Sequence, residues 1–251
     1  MIPELFTIFG FSISPFGVMM ALAFLVGSWI TAIRMREEGL DPELATTLLV
    51  YVMLGGIAGS KLYFAVDVHL RTGTPFTHLL FARDGITWYG GLIAATALGA
   101  LGCRIHKVSI LTVMNCTAVA GAVGQALGRV GCFLVGDDYG KPTDLPWGVT
   151  FPRGAPPTFV PVHPTQLYEI AWLLVVAGLL WRRRKRSPFL FGEYIALNGL
   201  GRFFVETLRV NPKVALGLTE PQFVGLALIA VGTATWLYYR HQVQRRVPVP
   251  T

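Results

Sequence analysis

Seven apolar stretches, at about 14–33, 45–66, 86–103, 108–127, 165–181, 190–209 and 219–239, divide this chain almost end to end. Each is close to the roughly 20 residues that an α-helix needs to cross the hydrocarbon of a bilayer. A backbone in lipid must satisfy its own hydrogen bonds, so a chain built this way folds as packed spanning helices. Only 14% of the 251 residues are charged and mean hydropathy is +0.55, which leaves no room for a large soluble domain. The expected fold is therefore all-α, a polytopic integral membrane protein of seven transmembrane helices forming a single domain over residues 1–251. Residues 1–13 carry no Lys or Arg and so lack the basic start of a cleaved signal peptide; the first span is expected to persist.

Orientation follows from the basic residues, because Lys and Arg in short loops stay on the cytoplasmic side. With seven alternating spans, one side carries Arg34, Arg36, Arg104, Lys107, the run Arg182 to Arg186, Arg240, Arg245 and Arg246. The other carries fewer: Arg71, Arg83, Lys141, Arg153 and Lys213. The N-terminus is then outside and the C-terminus cytoplasmic. The net charge of +7 is a topology signal with anionic-lipid contact as a by-product, and nucleic acid is not an expected partner. Cys103, Cys116 and Cys132 imply no disulfide framework. His69, His78, His106, His163 and His241 are scattered without carboxylates at ligand spacing, so no metal is expected.

The outer segments 67–85 and 128–163 are the longer ones, rich in Gly, Pro, Asp and aromatics, and function is expected there. Segment 128–163 holds Pro142, Pro146, Pro152, Pro156, Pro157 and Pro161 and reads as an ordered loop lying at the interface. Within the sixth span, Arg202, Glu206 and Arg209 share one helical face. Arg202 lies roughly 16 Å in from Phe191, where a lone arginine costs about 2.5–3.5 kcal/mol. That face must look into protein or a polar cavity. An Arg202–Glu206 pair tying helices together is one reading. A second arginine, Arg129, at the outer end of the fourth span, favours another: two guanidiniums at similar depth form a fork for one phosphate, most simply a phospholipid headgroup. Gly90 and Gly91 open the third span beside Trp88 and Tyr89, and suit either a ligand's close approach or plain helix packing. His163-Pro164 marks a helix start, with Gln166 and Glu169 on one face of its first turns.

Four segments taken together carry a resemblance: Trp88-Tyr89-Gly90-Gly91; Gly128-Arg129-x-Gly-x-Phe133-x-x-Gly136-Asp137-x-x-Gly140; His163-Pro-Thr-Gln-Leu-Tyr-Glu169; and Gly201-Arg202-Phe-Phe-Val-Glu206-x-x-Arg209. In this order and spacing the chain resembles the bacterial prolipoprotein diacylglyceryl transferases over essentially its whole length. The resemblance implies a seven-span inner-membrane enzyme with its site toward the outer leaflet. Such an enzyme moves the diacylglyceryl group of phosphatidylglycerol onto the lipobox cysteine of a prolipoprotein and releases glycerol phosphate, without a cofactor. By matching motif, Arg129 and Arg202 would bind the headgroup phosphate and Glu206 would orient Arg202. Tyr89 and His163 join them as catalytic candidates, and Gly90, Gly91, Asp137, Gly140, Gln166 and Glu169 as substrate-binding candidates. Tyr89 stands where the family often has a histidine proposed as base, Asp137 where Glu is usual, Cys132 where Asn is usual, Phe16 where Tyr is usual and Asn115 where Asp is common. A thiol of pKa about 8.5 needs a base or a positive field to react near neutrality. His163, Tyr89 and water all stay open as the proton acceptor. Two other readings stand beside the transferase. A diverged relative that binds phospholipid without transfer would fit the departures, and a transporter would need polar residues through the membrane depth, which the inner halves of the spans lack apart from Glu193.

Overall fold

The computed structural model describes residues 6–8, 11–82, 85 and 87–246. Arg83, the side chains of residues 1–13, and those of Trp88 and Arg246, lie outside the described residues. Seven long helices fall on the seven apolar stretches: α1 (Pro15–Glu37), α2 (Glu43–Thr72), α4 (Trp88–Ile105), α5 (Ile110–Val135), α6 (Thr165–Arg183), α7 (Leu190–Glu206) and α8 (Glu220–Arg246), with a short α3 (Phe76–Phe81). Among the described residues four of them, α1, α2, α5 and α8, are long and apolar enough to cross a membrane, and α4 is a shorter apolar helix. Leu25, Ile57, Ile93 and Val175 stay largely exposed on these helices. Apolar side chains facing outward are what lipid contact requires, and they fit a membrane protein. Among the described residues three small antiparallel hairpins also form: β1 (Phe6–Ile8) with β2 (Phe11–Ile13), β3 (Val149–Phe151) with β4 (Thr158–Val162), and β5 (Lys213–Ala215) with β6 (Leu218–Thr219). No hairpin is foreseen by the sequence reading, because a strand of two to five residues leaves too short a pattern.

The chain divides into two compact units, Thr31–Cys116 and the remainder. In the first, α2 packs along α4 on small residues. A methyl group on Gly55 would sit 2.6 Å from the Ala94 carbonyl oxygen, and one on Gly59 would overlap the Gly90 backbone. Without an apolar driving force between helices in lipid, such close backbone approach is what holds them. Met35, Leu48, Cys103 and Cys116 fill the same unit's buried cluster. Arg34, read from sequence as a loop charge, is buried in the last turn of α1, where it pairs with Glu37 and with Glu38 at 2.7 Å.

In the other unit, α7 packs against both α6 and α8. Ala118, Ala122, Val176, Leu180, Leu190 and Tyr194 form its core, and the Tyr194 hydroxyl donates to Gln125 Oε1 at 3.0 Å. Glu193 ties the three helices at one end. It accepts from Arg183 Nε and Nη2 at 2.7 and 2.9 Å, from the Ser187 hydroxyl at 2.8 Å and from the Trp236 indole at 2.8 Å. Segment 128–163, expected as a loop throughout, continues α5 as far as Val135, and its remainder is built on short strands. Its β3–β4 hairpin is joined by bridges from Asp137 to Ala155 and from Pro142 to Val162, and Phe151, fully buried, stacks on Tyr139 with ring centroids 5.2 Å apart.

If the Gly59 contact holds α2 to α4, Gly59→Val should cost about 1–3 kcal/mol through forced separation. Thermal unfolding in detergent should show a clearly lowered midpoint, whereas Gly56→Val, at an open position, should leave it nearly unchanged.

Candidate active site

Three helix termini and one loop bring the charged residues of the second unit together. Arg129 stands near the C-terminal end of α5, followed by the turn that carries Asp137 and Asp138. Glu169 stands one turn into α6, and Arg202 and Glu206 in the last turns of α7. Spacing on α7 puts Arg202 and Glu206 on one face, and they pair at 3.4 Å. The helix ends at Glu206, however, so Arg209 reaches the cluster from the turn beyond, where its N–H donates to the Glu206 carbonyl.

Glu169 is the centre of the arrangement. It is nearly buried, and its two oxygens face different arginines: Oε2 lies 2.6 Å from Arg129 Nε, and Oε1 accepts from Arg202 Nη1 at 3.1 Å. Asp138 makes a second bridge, accepting from Arg129 Nη1 at 2.7 Å while its other oxygen meets Arg209. Glu206, fully buried, is held from behind by the Asn211 amide at 2.6 Å and the Thr219 hydroxyl at 3.0 Å. Three arginines thus alternate with three carboxylates. For unit charges about 4 Å apart the attraction is roughly 4 kcal/mol at an effective dielectric near 20. Arg129 and Arg202 remain 23% and 25% exposed, so their forks are reachable.

The loop is placed by its backbone. The Gln166 amide donates to the Asp137 carbonyl and the Thr165 hydroxyl to the Asp138 carbonyl at 2.7 Å, both from the fully buried first turn of α6. Asp138 takes a left-handed conformation, φ 62°, which Asp tolerates better than most residues. Gly140 is there for space: a methyl group on it would lie 2.7 Å from the Leu208 carbonyl oxygen and 2.9 Å from both His163 and Thr165. Its N–H donates to the His163 carbonyl at 2.9 Å. Burial of Asp138 opposes its ionisation, but Arg209 and Arg129 outweigh this and hold its carboxyl below the ordinary carboxylate value. Burial raises the Asp137 carboxyl, with the Cys132 thiol as its hydrogen-bond partner acting the other way.

The structure thus gathers Arg129, Arg202, Glu206, Glu169, Asp137, Gly140 and Gln166 into one constellation. His163 is half-buried at its edge, its ring 3.3 Å from the Tyr168 hydroxyl, which also accepts from Trp147. Gly90 and Gly91 belong to the other unit, and the close approach they permit is that of α2 at Gly59 and Ser60. Tyr89 stands exposed in the first turn of α4. Asp138 and Arg209 as a pair, and Asn211 and Thr219 behind Glu206, are missed from sequence. The available signal was charge balance: three arginines in apolar surroundings need as many acids. Cys132 Sγ and the Asp137 and Asp138 carboxylates lie within 4.8 Å of one another, at a distance that suits a cation. Both Asp138 oxygens are already engaged by guanidiniums, so this carboxylate has no free oxygen to offer a cation.

Comparison with known proteins bears on the same residues. The family model described as prolipoprotein diacylglyceryl transferase matches residues 3–238. The chain belongs to the prolipoprotein diacylglyceryl transferase family. It is accordingly a transferase, of a family concerned with lipoprotein biosynthesis. A Clostridium tetani protein named phosphatidylglycerol–prolipoprotein diacylglyceryl transferase is 34% identical over 236 residues, covering 92% of this chain and 94% of the relative. Relatives of the same name from Parasynechococcus marenigrum and Finegoldia magna are each 30% identical, over 99% and 95% of this chain and 97% and 96% of their own lengths. The arginine and carboxylate cluster falls wholly within the part of the transferase that the family model covers.

Two predictions test the cluster. Replacing Glu169 by Gln keeps the shape but leaves two arginines facing one another, and breaking a buried pair costs roughly 3–5 kcal/mol; chemical unfolding of the transferase in detergent should show a loss of that order. The Asp138 carboxyl is held down in the folded protein, so its stabilisation is present at neutral pH and is lost as the pH falls below about 4. The midpoint deficit of Asp138→Asn relative to the parent should therefore be clear at about pH 7 and shrink by about pH 3. An equal deficit at both would remove the ionic bridge as its source.

Proposed function

We propose that the protein transfers the diacylglyceryl group of phosphatidylglycerol to the lipobox cysteine thiol of prolipoproteins, releasing glycerol phosphate. The observation that carries this reading is the convergence of Arg129 and Arg202 on one carboxylate with part of each guanidinium reachable. Planar forks spaced by Glu169 match phosphate oxygens, and such donors bind phosphate bidentately. The relatives' names specify phosphatidylglycerol as the donor and a prolipoprotein as the acceptor, and this agrees with an anion-binding site on a chain of apolar helices. On this reading the seven long helices span the bacterial inner membrane with the N-terminus outside. The site then faces the outer leaflet, where lipid and the precursor's signal peptide meet.

The reaction is a displacement at carbon. The cysteine sulfur forms a bond to the glyceryl methylene as the carbon–oxygen bond to phosphate breaks, and the electron pair leaves on the phosphate monoester. Charge grows on the phosphate oxygens, so Arg129 and Arg202 bind the departing group more strongly in the transition state than in the lipid, and such fixed donors in a water-poor site lower the barrier. Their field also favours the thiolate over the thiol. Glu206, itself fixed by Asn211 and Thr219, orients Arg202, while Glu169 sets the distance between the two forks. Gln166 and Thr165 fix the Asp137–Asp138 turn, and with it the second partner of Arg129. The thiol proton goes to His163, Tyr89 or water. Electrostatics and positioning dominate over any one base.

Purified protein in detergent, supplied with phosphatidylglycerol and a lipobox peptide, should add one diacylglyceryl mass to the peptide. Arg129→Lys and Arg202→Ala should each lower kcat by about 100-fold or more, the range for removing one transition-state donor. Tyr89→Phe and His163→Gln should stay near the parent rate. A normal rate for Arg202→Ala would sink the phosphate assignment, and absence of any adduct with the parent protein would sink the transfer itself.

A further inference from the structure

Behind the arginine cluster, on the side of Glu206 where the chain leaves α7, lies a cavity of about 460 Å³. Its wall comes from the 207–212 turn, the β5–β6 hairpin, the start of α8 and Lys141. Three cations line it: Lys141, Arg209 and Lys213. Arg209 is 94% buried by its 6% exposure; its Nη2 is spent on Asp138, and its Nη1, also buried, has no hydrogen-bond partner. A buried donor left in this condition is costly unless something accepts from it. The single acid on the wall, Glu206, is already engaged by Arg202, Asn211 and Thr219. Three cations against one acid leave the wall with an excess of positive charge, and Asn211 and Gln222 add neutral hydrogen-bonding groups.

We propose that this cavity is a second anion site, which takes a small water-soluble phosphate monoester carrying hydroxyl groups. This rests on the transfer reading above and names the species there: the glycerol phosphate leaving group, held before release. Three features agree with it. A phosphate monoester carries a charge of about −1.5 to −2 near neutrality, against −1 for the diester in the lipid, so it prefers the position with more cations. Asp138 joins Arg129 to Arg209, so the reaction side and the cavity share one chain of ion pairs along which an anion exchanges partners in short steps. Lys213 stands on the exposed hairpin at the rim, which suits a molecule that has lost its acyl chains and returns to water.

The test is equilibrium binding of glycerol 1-phosphate to the purified full-length protein in detergent, with inorganic phosphate as a second probe. Glycerol 1-phosphate should bind saturably and more tightly than phosphate, whose lack of hydroxyls leaves Asn211 and Gln222 unused. Lys213→Glu, an exposed reversal, and Leu218→Trp, which fills the space, should each weaken binding about tenfold or more. Unchanged binding in both variants overturns the proposal. Equal affinity for the two probes overturns the assignment to a polyol phosphate. Because the readout is binding, the two readings fail separately. Peptide modification without Lys213-dependent binding removes the cavity and keeps the transferase, and binding without modification does the reverse.

Discussion

Two guanidinium groups and the nearly buried carboxylate between them set the terms for the rest of this unit. Arg129 and Arg202 would repel one another if left alone, and Glu169 between them is the reason both stay charged and close. Each of its neighbours then needs a partner in turn. Glu206 answers Arg202, and Asp138 answers Arg129 and passes the requirement to Arg209. The alternation of signs is what electroneutrality demands at low dielectric. It also explains why the paired charges come from the ends of α5, α6 and α7 rather than from their middles, since an ion-pair network of this size is tolerable only where protein replaces lipid around it.

The helices were legible because the signal is long. About twenty apolar residues in a row leave little choice, and all seven helices appear where those stretches lie. Their ends were less so. The sixth apolar stretch runs to 209, which puts Arg202, Glu206 and Arg209 on one expected face, but the helix closes at Glu206 and Arg209 arrives from a tight turn. The hairpins went unseen for the complementary reason: β5 and β6 together hold five residues, too few to show a period.

Within the site, sequence named the arginines and acids but not who holds whom. Glu206 was expected to orient Arg202, and it does pair with it, yet the residue joining both arginines is Glu169, placed from sequence among substrate contacts. Nothing along the chain connects position 169 to 129 and 202; only the folding that brings the ends of α5, α6 and α7 together does. Gly90 and Gly91 illustrate the opposite limit. Paired glycines announce close approach without saying of what, and here α2 makes it.

The strap from the first turn of α6 grips carbonyl oxygens at 137 and 138, not side chains. Main-chain anchoring of this kind uncouples the path of the turn from the identity of the residues on it. A change of acid at 137 can then be absorbed without dragging Arg129 out of line. A lineage can exchange the groups on this turn one at a time while the framework beneath them keeps its shape.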